Sequence, residues 1–402
     1  MQILFMSNLY PKENEDEIRS KMRFNMYDAA NVLQWNIING LVENNVEHLS
    51  LVNLLPVDSW PQYFKDPFIK EIKFGEDKSF KGISVKFCNV KYIKRFFIWK
   101  SFKKEIKKWQ KETKNDNHRI VILYSLQSVF MKSVEKLKKL DKNIKVFAIV
   151  ADLPEFSASS NSIIRKITLK CGINNKLDLI DGYVLLTRQM SDKLNIKKPY
   201  IVVEGIAPQA NDELSVLKEK NSDKKTILYS GSMNIKYGIA TLLDAFSKIK
   251  DENYELVLCG LGNAEGEIKK HCELDKRINY LGKVPRDEVL EMQRKATVLI
   301  NPRQNNEEFT KYSFPSKNLE YLSSGVPLIA YKLDGIPDEY DDYIMYPESN
   351  SIEDLANCIE RICSLSEEDR KQIGDKAKKF VSENKNYIVQ TKKIIDLINS
   401  EN

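Results

Sequence analysis

Histidine is nearly missing from this chain: three residues, His48, His118 and His271, stand far apart among 402. That scatter offers no ligand set for a metal ion. Six cysteines, at positions 88, 171, 259, 272, 358 and 363, form no Cys-x-x-Cys pair and no even framework. Free buried thiols in a reducing compartment are therefore expected, in place of disulfides or zinc. No apolar run approaches the roughly 18 residues that a membrane span needs. The start, MQILFMSN, has no basic n-region and no small-residue cleavage site, so it is expected to be a first strand and not an export signal. No repeat unit and no low-complexity tail is visible, which excludes solenoid and disordered-tail architectures.

What is present is the composition of a soluble globular protein, 42% hydrophobic and 30% charged. A chain of 402 residues exceeds one ordinary core, so two domains of roughly 200 residues each are expected. The net charge of +6 conceals an asymmetry: residues 1–200 hold 35 Lys and Arg against 22 Asp and Glu, whereas 201–402 hold 28 against 35. A basic half joined to an acidic half predicts two domains that meet different partners.

Short apolar runs alternate with helical periods along the whole chain. In the first half they are 2–6, 46–52, 119–125, 145–151, 181–186 and 200–205; in the second, 225–231, 254–260, 278–282, 296–302, 326–331 and 342–347. Continuous apolar strands alternating with helices predict parallel sheets covered on both faces. The predicted class is α/β, with two Rossmann-like, doubly wound domains facing across a cleft. The first spans 1–205 and the second 225–380, with a polar linker at 206–224. A terminal helix at 381–402 is expected to pack back on the first domain. Ligands of such sheets bind beyond the carboxyl ends of strands, so chemistry is sought there.

Gly231–Gly238, GSMNIKYG, follows the first strand of the second half. Gly231 lets backbone approach a ligand, and Ser232 and Lys236 add a hydroxyl and a charge; an ordinary strand-to-helix turn is the plainer alternative. Gly262 sits at the next strand end, without the full glycine spacing of a dinucleotide site. Val284, in LGKVP, marks a third strand end that could line a base pocket. The richest loop is 301–317, NPRQNNEEFTKYSFPSK, in which Arg303, Lys311 and Lys317 gather positive charge suited to an anion. Ser313 is the expected N-cap, with Phe314 and Pro315 in the first turn and Gly325 closing the helix at its C′ position. Helical spacing places Ser316, Lys317 and Glu320 on one face, where a diphosphate and a ribose could be met, or where Lys317 and Glu320 form a solvated pair.

FPSKNLEYLSSGVPLIAY followed by DGIPDEY resembles the donor-site signature of the retaining family-4 glycosyltransferases of the GT-B fold. The order YSGSMNIKYGIATLLDAF, LVLCGLGN, INYLGKVPRDEVLEMQRKATVLINPR is similar too, over about 225–345. The resemblance implies that Glu320 binds the nucleotide ribose and that the backbone of Phe314, Pro315 and Ser316 cradles the diphosphate. The family's second carboxylate, eight residues earlier, is Tyr312 here, and its usual Arg and Lys are replaced by Ser232 and Tyr237, with Lys236 displaced by one. Charge on the leaving group would then be met by Arg303, Lys311 or Lys317. No Asp-x-Asp occurs, so no metal bridge to the diphosphate and no cofactor beyond the donor itself are expected.

In the basic half, Asn8 and Tyr10 follow the first strand and are candidate acceptor contacts. Asp152 ends another strand and is a candidate for sugar or acceptor contact, or for helix capping; Asp152, Arg303 and Lys311 are the catalytic candidates. The segment 91–114 carries ten basic residues against two acidic ones, interleaved with Phe96, Phe97, Trp99, Phe102 and Trp109. Lys94, Arg95, Phe97, Trp99, Lys103, Lys104 and Lys107 are expected to rest on anionic lipid, unless the aromatics face their own core. Nucleic acid is not expected, since no recognition motif accompanies the charge. The resulting expectation is a hexosyltransferase, peripheral on the cytoplasmic face of a bacterial membrane. It would use a nucleoside-diphosphate sugar, UDP favoured, and a surface-glycan or lipid-linked acceptor of capsule or exopolysaccharide synthesis. A non-catalytic glycan- or transferase-binding subunit and a nucleotide-sugar epimerase are the alternatives.

Overall fold

A computed structural model describes residues 1–23, 28–75, 79–153, 176–207 and 224–401. The chain divides into two compact units, Met1–Glu204 with Tyr387–Asn402, and Gly205–Asn386. Residues 208–223, most of the expected linker, lie outside the described residues, as does Cys171.

The first unit has strands β1 (Gln2–Ser7), β2 (His48–Asn53), β3 (Phe68–Ile69), β4 (Ile72–Phe74), β5 (Phe80–Ser84), β6 (Phe87–Cys88), β7 (Arg119–Tyr124), β8 (Lys145–Val150), β9 (Gly182–Leu185) and β10 (Tyr200–Val202). Helices α1 (Glu15–Lys21), α2 (Asp28–Glu43), α3 (Lys94–Glu112), α4 (Ser128–Leu140) and α5 (Gln189–Lys193) accompany them. The main sheet runs β10-β9-β8-β7-β1-β2-β5-β4, parallel except for β4. Ile3, Leu4, Phe5 and Met6 are fully buried, as a strand covered on both faces requires. Strands β3 to β6 have no counterpart among the expected ones. They are two to five residues long and broken by Gly75 and Gly82, too short for a period-2 pattern to emerge.

The second unit has β11 (Lys225–Ser230), β12 (Tyr254–Cys259), β13 (Ile278–Gly282), β14 (Val298–Asn301), β15 (Leu328–Ala330) and β16 (Ile344–Met345). Its helices are α6 (Ile239–Lys248), α7 (Glu265–Leu274), α8 (Arg286–Lys295), α9 (Ser316–Ser323), α10 (Ile352–Ser364) and α11 (Glu367–Asn384). The sheet is parallel in the order β13-β12-β11-β14-β15-β16. Two helices carry serine N-caps. Ser351 Oγ accepts from Asp354 N at 3.0 Å and Ser366 Oγ accepts from Asp369 N at 3.1 Å, each followed by acidic residues that suit the positive helix end. The doubly wound α/β class is thus what both units adopt.

The last helix, α12 (Tyr387–Ser400), belongs to the first unit and packs along α2. Gly40 makes the approach possible: a Cβ there would stand 2.2 Å from Thr391 Oγ1 and 2.5 Å from the Tyr387 carbonyl. Asn44 Nδ2 donates to the Ile388 carbonyl at 3.0 Å. Gly40→Ala should therefore force α12 away from α2 and destabilise the first unit by about 1–3 kcal/mol. All four tryptophans, Trp35, Trp60, Trp99 and Trp109, lie in that unit, so the urea midpoint followed by tryptophan fluorescence measures it. An unchanged midpoint would mean that α12 does not pack there.

Candidate functional site

Strand order in the second unit reverses between β11 and β14. Beyond the carboxyl ends of two such strands a doubly wound sheet leaves a crevice, and the turn after β11 meets the loop after β14 there. The contact is backbone on backbone. Gly238 has φ +82°, and a Cβ on it would lie 2.0 Å from the Pro302 carbonyl oxygen. Gly260, at the end of β12, has φ +140° and would place a Cβ 1.7 Å from the Gly231 carbonyl. Neither position accepts a side chain, so these glycines set how closely the strand-end turns nest. Gly262 lies equally close to the Met233 backbone, and Met233 N donates to Leu261 O at 3.0 Å. Ser232 is exposed, its carbonyl accepting from Tyr229 Oη at 3.0 Å. Val284 is half-buried against the core of the unit.

The cations of this region meet aromatic faces. The Arg303 guanidinium lies 4.6 Å from the Phe309 ring centre and 5.5 Å from that of Tyr237. Lys236 Nζ lies 5.1 Å and 5.2 Å from the same two rings, and the rings meet edge to face at 6.4 Å. Weakly hydrated guanidinium suits such a box. Arg303 Nη2 donates to Ser313 Oγ at 2.6 Å, while its Nε is buried without a hydrogen-bond partner. Burial draws the Arg303 guanidinium down from its ordinary value, Tyr237 and Tyr229 opposing. Lys311 is exposed on a short helical turn, Glu308–Tyr312.

Ser313 is not the cap it was expected to be. The helix begins at Ser316 with Pro315 before it, and no side chain caps it. The reason is local: proline disfavours helical backbone at the residue before it, and Ser313 itself is extended at φ −143°, ψ 133°. Its hydroxyl serves Arg303 and reaches the Phe309 carbonyl at 3.2 Å. Phe314 is buried 5.2 Å from the Tyr340 ring, so its side chain belongs to the core, and Pro315 is buried as well. Ser316 is exposed, and the first amides of α9 lie beyond the reach of intrahelical carbonyls. Gly325 stands just past the helix with φ +79°, as a C′ residue should.

Glu320 is the best-supported group in the region. Its Oε1 accepts from Lys317 Nζ and from Gln293 Nε2, each at 2.7 Å, and Oε2 lies 3.3 Å from Arg286. Burial pushes this carboxyl up, yet Lys317, Gln293 and Arg286 together outweigh it and hold the group below the usual range. Gln293 is fully buried and also donates to Ser230 Oγ at 2.9 Å, while its Oε1 has no partner. Tyr321 Oη closes the arrangement, accepting from Ser230 N at 2.8 Å and donating to Ser230 O at 2.9 Å. Strand β11, helix α8 and helix α9 thus meet at one ionised carboxylate. Sequence reasoning missed Gln293, Arg286, Tyr321 and Ser230. A signal existed for one of them: Val289, Met292, Gln293 and Ala296 follow the apolar helical spacing, and a glutamine on that stripe needs a polar partner inside.

In the first unit the candidates fare differently. Asn8 lies at the end of β1, where Gln34 holds both its amide and its carbonyl at 2.8 Å and 3.0 Å; its Oδ1 is buried and unpartnered. Tyr10 does not face an acceptor. It is fully buried, donates to the Pro56 carbonyl at 2.9 Å, and takes Trp35 Nε1 on its own carbonyl at 3.0 Å. Packing, rather than recognition, accounts for that tyrosine. Asp152 keeps exposed surface just past β8, although surrounding atoms are close enough that burial pushes its carboxyl up; residues 154–175 beyond it lie outside the described residues.

The basic segment forms α3, with Ile98, Phe102, Ile106 and Trp109 buried in the unit. Arg95, Phe97, Lys103, Lys104 and Lys107 are exposed, and Trp99 is half-buried. Lys94 departs from the expectation of a lipid-facing residue. It turns inward to the Val57 carbonyl at 2.5 Å and over the Phe87 ring, and burial draws its ammonium down to about 8. Among the described residues no helix is long and apolar enough to cross a membrane.

Comparison with solved structures defines the class first. The chain superposes over its whole length on sucrose-phosphate synthase from Thermosynechococcus elongatus, at TM-score 0.67 and 14% identity, covering 100% of this chain and 99% of that one. The lipopolysaccharide outer core galactosyltransferase WaaB, apo form, gives 0.63 at 15% identity, with 100% of each chain covered. HepE of Anabaena in complex with UDP gives 0.61 at 12% identity, again with 100% of each chain covered. At such identities the shared property is the fold: two Rossmann-like domains of the GT-B type. More specifically, residues 211–380 match the family described as Glycosyl transferases group 1. The match covers less than half of the chain and falls within the second unit, and it supports glycosyl transfer in general terms. No curated protein matches the chain in sequence.

The Glu320 network makes a direct prediction. Replacing Lys317 by Met should raise the Glu320 carboxyl more than replacing Gln293 by Leu, because the ammonium supplies both charge and a hydrogen bond. Carbon-detected NMR titration of labelled glutamate reads both shifts. No upward shift in either variant would mean that these two groups do not hold the carboxylate ionised.

Proposed function

We propose that the protein is a retaining, metal-independent hexosyltransferase that uses a nucleoside-diphosphate sugar, with UDP as its nucleotide. The observation that carries the reading is Glu320: an ionised, largely buried carboxylate one turn into α9, beside the β11–β14 crevice. Such a group accepts hydrogen bonds from vicinal hydroxyls, which a ribose presents. The exposed start of α9 at Ser316 offers amides to a diphosphate, and Arg303, Lys236 and Lys311 supply charge from the neighbouring turns. The group 1 family match over this unit and the UDP complex of HepE are consistent with that donor.

In this reading the bond between the anomeric carbon and the diphosphate oxygen breaks while the acceptor oxygen attacks on the same face. The acceptor proton passes to the departing phosphate, whose negative charge is met by the amides and cations named above. Absence of Asp-x-Asp from the sequence favours this way of stabilising the leaving group over a bridging metal. Asn8 and Asp152 are the proposed acceptor or sugar contacts of the first unit. The acceptor is a surface glycan or its lipid-linked precursor in capsule or exopolysaccharide synthesis, and the protein acts as a peripheral protein of the cytoplasmic membrane face. The basic outer face of α3 supports the last point. A non-catalytic binding subunit is the second reading, favoured by one observation: Ser232 and Tyr237 stand where the resembling family usually has cations.

Calorimetric titration with UDP, together with hydrolysis of a panel of nucleotide sugars, separates the two. The transferase should bind UDP and slowly hydrolyse one sugar of the panel. Glu320→Ala should weaken UDP binding by roughly 10–100-fold, the worth of a charged hydrogen bond. Neither binding nor turnover would leave the non-catalytic reading standing.

A further inference from the structure

Among the described residues, Met1, Val32, Leu140 and Ile388 are large exposed apolar side chains of the first unit that stand apart, and the other six gather in three segments. Trp60, Phe68, Tyr92, Ile93, Phe96 and Phe97 come from three segments, 57–60, 67–69 and 87–97, and are all exposed. Tyr92 is 87% exposed, and Phe68 and Phe96 are 67% and 65% exposed.

These segments are stitched together by backbone and buried polar bonds. Trp60 N donates to Asn89 O at 3.0 Å, and Asn89 N donates to Pro67 O at 2.7 Å. Asn89 Nδ2 reaches the Asp58 carbonyl at 2.9 Å, and Phe68 pairs with Cys88 across β3 and β6. Lys94, which turned away from the surface, belongs to this frame: its ammonium holds the Val57 carbonyl under the start of α3. Phe96 and Phe97 then meet edge to face at 5.5 Å on the outer side. The side chains therefore sit on an ordered platform, which a collapsed loop would not give.

An exposed apolar cluster of this kind marks a partner surface. The chemistry of its surroundings says which. From the platform α3 runs on with Lys100, Lys103, Lys104, Lys107, Lys108 and Lys111 exposed, against Glu112 as the exposed acid of the helix. Glu105 is buried with Lys104 Nζ 3.3 Å away. The inward stripe of α3 is already used by the core, so the aromatics at its start are surplus to folding. Aromatic and aliphatic side chains beside a lysine row suit an anionic bilayer: the rings enter the headgroup–acyl boundary while the lysines meet the lipid charge.

We infer that Trp60, Phe68, Tyr92, Ile93 and Phe96 form an insertion tip at the amino-terminal end of α3, beside which the exposed lysines of the helix meet the lipid charge. The inference deepens the membrane part of the proposed function and does not depend on the donor chemistry of the second unit. Four of these five residues lie outside the set that charge and aromatic counting picked out along the helix, because Trp60 and Phe68 are distant in sequence and Tyr92 and Ile93 precede the helix.

The test is co-sedimentation of the full chain with vesicles of phosphatidylcholine and phosphatidylglycerol, against pure phosphatidylcholine. UDP binding is measured in parallel, so that failure here is distinguishable from failure of the transferase reading. The wild type should bind the anionic vesicles, and chain-brominated lipid should quench Trp60, the quenching being lost in Trp60→Phe. Tyr92→Ser with Phe96→Ser should bind at least about tenfold more weakly, with an unchanged tryptophan unfolding midpoint, because both side chains are exposed. Lys103→Gln with Lys104→Gln and Lys107→Gln should remove the preference for anionic lipid and its sensitivity to salt. Equal binding by the serine variant and the wild type would overturn the tip. So would absence of vesicle binding, or binding of duplex nucleic acid in its place.

Discussion

In the second unit β11 is hydrogen-bonded to β12 on one side and to β14 on the other, and the chain must leave it in one direction and return from the other. That single constraint brings sequence-distant turns to one place. The stretch after β11 and the stretch after β14 are about seventy residues apart in sequence, yet the Gly238 α-carbon lies against the Pro302 carbonyl. Helix α8, which precedes β14, delivers Gln293; helix α9, which follows it, delivers Glu320; β11 itself delivers Ser230. The carboxylate is then buried among donors and stays ionised, where an isolated one would be driven to neutrality.

The positive side chains of the crevice follow a related logic. Arg303 and Lys236 share the Tyr237 and Phe309 rings. Holding a cation over an aromatic face fixes it without neutralising it, so its charge remains available to an anion that arrives. A carboxylate partner would have cancelled that charge. Tyr237 thereby becomes a support of two cations.

Helix α3 shows how one composition serves two purposes. Its aromatics are interleaved with lysine throughout, but helical geometry sorts them: Phe102 and Trp109 go inward with Ile98 and Ile106, while Phe96 and Phe97 stay out. Lys94 is drawn in to donate to the Val57 carbonyl in the loop between β2 and β3, and the methylene stem of a lysine tolerates burial while its tip finds a partner.

The alternation of continuous apolar runs with helical periods was enough to determine two doubly wound α/β units, since a strand covered on both faces must be apolar throughout. The left-handed Gly325 was equally legible, because its place rests on backbone geometry within a few residues. The helix carrying Glu320 was read from sequence as well, though Pro315 started it two residues later than Ser313 suggested. Strands β3 to β6 escaped notice because they are too short to show a period. What only the tertiary structure decided was company: that Gln293 and Arg286 hold Glu320, that two rings hold Arg303 and Lys236, that Tyr10 is core, and that Trp60 and Phe68 stand with Tyr92. Periodicity describes which face of an element is apolar, whereas strand order decides which elements meet, and burial and charge act between residues that strand order has brought together.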